Sequence, residues 1–137
     1  MKELTPYLNF DGNCREAMTF YAKCLGAELS MTPASEEHCG EALAKTGWIM
    51  NAMLTKGSPI LMASDTEPGR QFQPAAGFSI VIACESLEEI QRLFAEMGEN
   101  GTVTMPLQDM FWGGHFGMLV DQFGIKWMFN FDRPKPA

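Results

Sequence analysis

The sequence is short of positive charge. Ten lysines and arginines stand against seventeen aspartates and glutamates, which gives a formal net charge of −7. A protein that binds nucleic acid needs a basic surface to displace counterions, and an anionic membrane surface attracts the same kind of protein. The composition therefore argues against nucleic acid and membrane as partners. A neutral or cationic small molecule remains a compatible ligand.

Long apolar runs and paired cysteines are also missing. No apolar run approaches the roughly 18 residues that a membrane span needs. The first ten residues, MKELTPYLNF, lead directly into a strand-like run and contain no apolar signal segment. The cysteines form no CxxC pair, so they are predicted to be free thiols, at positions 14, 24, 39 and 84. These features together predict a cytoplasmic protein.

The chain does contain a repeat of about half its length. Each half begins with a strand, at residues 6–10 and 77–84, and continues with an amphipathic helix. Asn13 and Ser86 are each followed three residues later by a glutamate, which is the pattern of a helix-capping box. A glycine ends each helix, Gly26 in the first half and Gly98 in the second.

Three further strands are predicted after each helix. They cover about 27–33, 47–56 and 59–65 in the first half, and 102–108, 116–121 and 125–131 in the second. Tight turns join the last two strands of each half, KGSP at 56–59 and DQFG at 121–124, where Asp121 is expected to cap the turn. Residues 34–46 are predicted to form an exposed connection. Asp65 is expected to start a turn or to face a cationic ligand.

The repeat predicts an α+β fold built from two βαβββ modules. One such module would leave a face of its sheet bare, whereas pairing two modules buries that face. We therefore expect 1–137 to form a single domain. Its first module covers about 1–67, its linker about 68–76 and its second module about 77–137.

Three strings of the sequence resemble one known family. They are PYLNFDGNCREAMTFYAKCLGAEL, ILMASD and FWGGHFGMLVDQFGIKWMFNF. They are similar to the PhnB-like branch, also labelled 3-demethylubiquinone methyltransferase-like, of the glyoxalase/bleomycin-resistance/extradiol dioxygenase (vicinal oxygen chelate) superfamily. The resemblance implies an incomplete, curled mixed β-sheet around a ligand cavity, in a homodimer. Many members of that superfamily are metal enzymes, and others bind bleomycin-type antibiotics without a metal.

The positions that hold the metal in that superfamily carry unsuitable residues here. The resemblance places them near Thr5, Met62, Phe78 and Met128, and two residues further along the same strands lie Tyr7 or Asn9, Ser64, Ile80 and Asn130. None of these is a good ligand for a divalent metal. The glycines at 113–117 precede a strand rather than a helix, so they do not form a cofactor-binding loop. We therefore predict neither a metal nor a cofactor.

Residues 108–131 form the most unusual stretch, because seven of the twenty-four are aromatic. Strand alternation in 126–131 predicts that Trp127, Phe129 and Phe131 face the core, while Met128 and Asn130 face the cavity. Trp112 is a candidate for stacking on a ligand; the alternative is that it only packs within the protein. His115 is a weak candidate for a general base or a ligand contact; the alternative is a loop histidine bound by water or backbone.

Together these patterns predict a metal-independent small-molecule-binding protein of unknown ligand. The predicted ligand contacts are Asn9, Met62, Ser64, Trp112, His115, Met128 and Asn130. Whether a reaction is catalysed stays open at this point. One alternative is a metal-dependent lyase, isomerase or dioxygenase with an atypical ligand set that includes His115. Another is an interaction module whose dimer matters more than its cavity.

Overall fold

The computed structural model describes residues 1–134 as two compact units, which adjoin in the sequence at Pro74 and Ala75. Each unit contains a four-stranded mixed sheet that does not close. The predicted α+β class and the βαβββ order of each module are confirmed. The grouping of both modules into one domain, with a linker at 68–76, stays a prediction.

The first unit contains four strands and three helices. They are β1 Tyr7–Phe10, α1 Cys14–Leu25, β2 Glu28–Pro33, α2 Glu36–Cys39, α3 Glu41–Ala44, β3 Ile49–Lys56 and β4 Ser58–Asp65. The strand order is β1-β4-β3-β2, in which β1 runs parallel to β4 and the other pairs are antiparallel. The predicted connection at 34–46 contains the short helices α2 and α3, which the sequence analysis missed.

The second unit, as far as the structure describes it, repeats the plan with one helix. Its elements are β5 Ile80–Ala83, α4 Leu87–Met97, β6 Thr102–Asp109, β7 Gly114–Val120 and β8 Lys126–Asp132. The strand order is β5-β8-β7-β6, again with one parallel pair, β5 with β8. The first strand is shorter than predicted, and β7 begins two residues earlier than predicted.

Each sheet has one face that packs under a helix, called here the helix face, and an opposite open face. In the first sheet, Leu8, Phe10 and Leu54 are buried on the helix face, as are Met18 and Tyr21 of α1. Burial of such side chains is the main driving force of folding. Successive strand residues alternate between faces, so the neighbours of these core residues lie on the open face.

The helix face of the second sheet is aromatic. Trp127 and Phe129 are buried there, and Phe129 meets Phe94 of α4 edge to face with 5.3 Å between ring centroids. This confirms the predicted core role of Trp127 and Phe129, whereas Phe131, also predicted to face the core, is only partly buried. Met128 and Asn130 lie on the open face, as the alternation predicted.

Helix α4 begins with the predicted cap. Ser86 Oγ accepts a hydrogen bond from Glu89 N–H at 3.0 Å, and Glu89 Oε1 accepts one from Glu85 N–H at 2.9 Å. The first bond satisfies a backbone donor that the first turn of a helix cannot pair internally, and the second ties the residue before the cap to the same turn. The corresponding prediction for α1 is wrong, because Asn13 makes no side-chain capping bond.

Candidate functional site

A cavity of about 410 Å³ lies within the first unit. Two of the predicted ligand contacts, Asn9 of β1 and Ser64 of β4, line it side by side, because these residues pair across the two parallel strands. Trp48 and Met50 add an apolar wall that the sequence analysis did not predict. The remaining lining residues are Asp65, Thr66, Glu67, Arg70, Gln71 and Gln73.

Asp65 connects three elements around this cavity. Its side chain is buried, and Oδ1 accepts a hydrogen bond from Cys14 N–H at 2.9 Å. Oδ2 accepts another from Ile49 N–H, also at 2.9 Å. Asp65 therefore caps α1 in place of Asn13 and fixes the start of β3. The expectation that Asp65 starts a turn or faces a cationic ligand is replaced by this structural role.

Trp48 is held in the cavity wall by its own polar atom. Its Nε1–H donates to the carbonyl oxygen of Thr66 at 3.1 Å, so the orientation of the indole ring is fixed. The hydroxyl of Thr66 is buried and has no hydrogen-bond partner among the described residues. An unpaired buried hydroxyl is costly, which makes it unusual in a folded protein. The cavity thus combines an ordered aromatic ring with polar atoms nearby.

The charges near the cavity compensate each other in part. Glu67 and Arg70 form an ion pair of 2.9 Å, and both side chains are largely exposed. The carboxylate of Asp65 already accepts two backbone hydrogen bonds. The lining therefore keeps one buried carboxylate that is hydrogen-bonded but not ion-paired with Arg70, which disfavours an anionic ligand.

In the second unit, three more of the predicted contacts meet on the open face of the sheet. Phe116 of β7 pairs with Asn130 of β8, and Met128 lies two residues before Asn130 on the same face. Trp112, in the turn between β6 and β7, meets the Phe116 ring edge to face at 5.8 Å. It also meets Phe111 at 5.2 Å. We call Trp112, Phe116, Met128 and Asn130 the aromatic platform.

The side-chain amide of Asn130 is oriented by a neighbour. Its Nδ2–H donates to Asp132 Oδ1 at 3.1 Å, which identifies Oδ1 as the acceptor pointing the other way. That oxygen is buried and has no hydrogen-bond partner among residues 1–134. It lies next to Gly114, where an added Cβ would be 2.9 Å from Oδ1 and in direct contact with Trp112 Nε1. Trp112 Nε1 and the unpaired oxygen are therefore neighbours on either side of the Gly114 Cβ position.

His115 is separated from the aromatic platform by the register of β7. It pairs with Phe131, whereas Phe116 pairs with Asn130, so His115 points to the helix face. Its Nδ1–H donates to Asp109 Oδ1 at 3.0 Å, and Arg133 Nη2–H donates to the same oxygen at 2.9 Å. The hydrogen bond from His115 holds the pKa of Asp109 below its ordinary value of 3.8, and the charge of Arg133 acts in the same direction.

Asp121 has the structural role that the sequence predicted. Its Oδ1 accepts hydrogen bonds from Phe123 N–H at 2.8 Å and Ile125 N–H at 3.0 Å, which closes the turn before β8. Its Oδ2 also accepts from Trp127 Nε1–H at 2.7 Å. Like Asp65 in the first unit, it is a buried carboxylate used for architecture.

The cysteines are free thiols in the structure, as predicted. Burial, with a smaller contribution from the charge of Asp65, raises the pKa of the Cys14 thiol to about 12. Burial, with help from Glu89, raises the pKa of Cys84 to about 11. A protonated thiol is a poor nucleophile. Neither residue is therefore suited to covalent catalysis.

The residues present do not fit a divalent metal. Within the described range 1–134, no group of three His, Cys, Asp or Glu side chains is placed to hold one. Met62 lies opposite Tyr7 on the open face of the first sheet, and Met128 lies beside Val81 in the second. Thioether and apolar groups do not form an oxygen and nitrogen ligand set. Ile80, expected to share the face of Met128, pairs instead with Trp127 on the helix face.

The fold places the chain in a known structural class. A glyoxalase/bleomycin resistance protein from Albidiferax ferrireducens T118 superimposes with a TM-score of 0.65, covering 98% of this chain and 100% of that chain. At 13% sequence identity this likeness shows the fold alone. The class is therefore the glyoxalase/bleomycin-resistance fold, as the sequence resemblance implied.

Sequence comparisons identify the family within that class. The model of the 3-demethylubiquinone-9 3-methyltransferase family matches residues 2–129, and the chain belongs to this PhnB-like family. Protein YjdN of Escherichia coli K12 is 32% identical, with 98% of each chain covered. The structure of protein PA1353 from Pseudomonas aeruginosa is 40% identical, with a TM-score of 0.87 over 98% of this chain and 100% of that one. A PhnB protein from Bacillus cereus is 28% identical, with a TM-score of 0.75 over 95% and 99%.

The methyltransferase activity in the family description does not fit the residues that the structure brings together. A methyl-donor cofactor of the usual kind is held by a glycine-rich loop between a parallel strand and a helix. Gly113 and Gly114 lie instead in and after the turn that joins the antiparallel strands β6 and β7. The parallel strands β1 and β5 do lead into helices α1 and α4, but the connection at 11–13 has one glycine and that at 84–86 has none, so neither is glycine-rich.

No helix among the described residues is long and apolar enough to cross a membrane.

Proposed function

We propose that this protein binds a small, neutral, amphipathic molecule and that binding needs no metal. The observation that carries the proposal is the cavity of about 410 Å³ in the first unit. Pockets of this size class accommodate small organic ligands, and they usually combine apolar walls with a few oriented polar groups. Trp48 and Met50 supply the wall here, and Asn9 and Ser64 supply the polar contacts.

The structure supports some of the predicted ligand contacts more strongly than others. Asn9 and Ser64 line the cavity directly. Met62 shares their sheet face but lies outside the lining. Met128, Asn130 and Trp112 meet on the aromatic platform, which we propose as a second region of ligand contact. His115 remains a proposed contact only, and its position on the helix face beside Asp109 lends that role no support.

The test is a binding screen that separates the cavity from the rest of the protein. We would screen neutral one- and two-ring fragments against ¹⁵N-labelled protein, since the three tryptophan indole N–H groups are resolved reporters. A cavity ligand should shift the Trp48 signal and leave that of Trp127 unchanged, because Trp127 is buried and bonded to Asp121. Ser64→Ala should weaken such binding by about fivefold, which corresponds to one net hydrogen bond.

Ser30→Ala is the matched control for Ser64→Ala. Ser30 is an exposed serine of β2 outside the cavity lining, so its replacement should leave fragment affinity unchanged. Equal weakening by both variants, or no saturable shift of Trp48 with any fragment, would contradict the proposed cavity site.

Metal dependence is tested on the same samples. Affinity should be the same in EDTA as without it, and elemental analysis of protein purified without chelator should find no stoichiometric metal. One metal per chain that disappears in His115→Ala would favour the metal-dependent lyase, isomerase or dioxygenase instead. Loss of fragment binding in EDTA would also reject our proposal.

We also propose a homodimer in the cytoplasm. Support for the dimer comes from large apolar side chains that the single chain leaves exposed, among them Tyr7, Phe78 and Val81. Exposed apolar patches of this kind often mark contacts between proteins. The four free cysteines support a reducing compartment. Light scattering on purified protein at micromolar concentration tests the dimer: a mass near 15 kDa would reject it, since one chain weighs 15.2 kDa.

A further inference from the structure

We infer that the aromatic platform recognises a flat ring that carries a hydrogen-bond donor, and that Trp112 must swing aside to admit it. The inference rests on the proposed small-molecule binding and specifies the ligand class for the second unit. Its starting point is the side-chain oxygen of Asn130, a buried acceptor without a partner among the described residues.

The identity of that atom as an acceptor follows from its neighbour. Asn130 Nδ2–H donates to the Asp132 carboxylate, which can only accept. Flipping the amide would place two oxygens against each other, so the orientation is fixed. An incoming group that satisfies Oδ1 must therefore be an N–H or an O–H. A ligand carbonyl or ether oxygen would be repelled at the same place.

The surroundings of the oxygen select the shape of the ligand. Trp112 and Phe116 meet edge to face beside it, and Met128 continues the same sheet face along β8. Aromatic rings and a thioether provide flat, polarizable contact surface. A planar ring fits such a surface better than a branched aliphatic group. Recognition of a flat ring through one N–H or O–H donor is the chemistry that combines both features.

Trp112 is the group that controls access. Its indole Nε1 and Asn130 Oδ1 both lie against the position that a Cβ on Gly114 would take, so the ring lies beside the acceptor. Trp112 is nevertheless 49% exposed and belongs to a turn that continues through Gly113. Gly113 has a φ of +92°, a conformation that glycine adopts freely. A rotation of Trp112 uncovers the acceptor and leaves the indole free to stack on the ligand.

The experiment compares 2-naphthol with 2-methoxynaphthalene. The two probes have the same fused ring, but only the first carries a donor. Wild-type protein should bind 2-naphthol about tenfold more tightly, the effect of one well-formed hydrogen bond to a buried acceptor. In Asn130→Leu, which keeps the number and branching of side-chain heavy atoms and removes the acceptor, the two affinities should become equal. Trp112→Ala should weaken both probes alike.

Gly114→Ala keeps the test valid if Asn130→Leu does not fold. The added methyl group occupies the contact between Trp112 and Asn130 and removes neither side chain. It should abolish the preference for 2-naphthol. Equal affinity of the wild type for both probes, or a preference that survives both Asn130→Leu and Gly114→Ala, would overturn the inference. So would failure of both probes to bind.

The NMR signals of the tryptophan indole N–H groups distinguish failure of the inference about the aromatic platform from failure of the proposed cavity function. The indole N–H of Trp112 should shift with 2-naphthol, while Trp48 reports the cavity of the first unit independently. A shift of Trp48 without one of Trp112 would support the cavity and reject the platform. Strong protection of the Trp112 N–H from hydrogen exchange in the free protein would also reject the inference, because the indole would then itself satisfy Asn130.

Discussion

Replacing Asp65 by Asn should destabilise the first unit markedly while changing the side chain very little. Asp65 is only 3% exposed, and its two oxygens accept one backbone N–H from Cys14 and one from Ile49. An asparagine of the same size has only one acceptor oxygen. One of the two buried N–H groups must therefore lose its partner, or meet an amide NH₂ that cannot accept.

The magnitude follows from the bonds involved. A hydrogen bond to a charged group contributes roughly 1.5–3 kcal/mol, and converting the remaining bond from a charged to a neutral acceptor costs about 1 kcal/mol more at most. Asp65→Asn should therefore lower the free energy of unfolding by roughly 2–4 kcal/mol. A domain with a stability of about 5–15 kcal/mol tolerates that loss and stays folded.

Urea unfolding followed by circular dichroism measures the effect. With a slope of about 2 kcal/mol per molar urea, the midpoint should fall by roughly 1–2 M. The loss should also be local: hydrogen exchange at the amides of Cys14 and Ile49 should become faster than at amides elsewhere in α1 and β3. The cavity should lose its shape as well, because Trp48 directly precedes Ile49.

Glu67→Gln is the matched control. It also converts a carboxylate of the cavity lining to an amide, but this side chain is exposed and its only described ionic partner is Arg70. Exposed ion pairs contribute little, so the free energy of unfolding should change by less than about 0.5 kcal/mol. A similar small change for Asp65→Asn, or equal changes in the two variants, would refute the role given to Asp65.

Two further predictions concern titratable groups. Native protein treated with iodoacetamide at pH 8 should react at Cys39 and leave Cys14 unlabelled, because burial raises the pKa of Cys14 to about 12; mass spectrometry that finds Cys14 modified before unfolding would contradict this. The carboxyl group of Asp109 should titrate below 3.8 in an NMR experiment, since the His115 hydrogen bond lowers its pKa. A lowered folded-state pKa means that this interaction stabilises the protein above the unfolded pKa and is lost as the pH falls through the folded value. Arg133→Gln should raise the pKa of Asp109, because it removes a nearby positive charge. An unchanged pKa would show that the ion pair between Arg133 and Asp109 does not persist in solution.

The sequence predicted those features that are encoded locally. The capping pattern at Ser86, the turn at Asp121 and the alternation of aromatics in β8 each depend on residues a few positions apart. All three are present in the structure. The repeat of such local patterns was sufficient for the βαβββ order and the class of fold.

The prediction for α1 failed because its cap is not local. Asn13 has the right residue type and the right spacing to Glu16, yet the N–H of Cys14 is bound by Asp65, 51 residues further along the chain. A capping pattern describes what the neighbouring residues can do. It does not contain the tertiary contact that replaces them. The cavity wall at Trp48 was missed for a related reason, because its orientation depends on the carbonyl group of Thr66.

The position of His115 shows that the strand register decides whether a residue can contact the proposed ligand. A shift of one residue moves a side chain to the other face of the sheet. The sequence suggested that His115 and Asn130 approach the same ligand, but β7 already starts at Gly114 and pairs Phe116, not His115, with Asn130. Because side chains alternate, this places the histidine with Asp109 and Arg133 on one face and the side chain of Asn130 with Trp112 on the other. Strand β6 contains two register irregularities opposite β7, which no local pattern in the sequence reveals. The arrangement therefore agrees with the proposed recognition of a ligand by a neutral acceptor and aromatic rings, and it lends no support to proton transfer by His115.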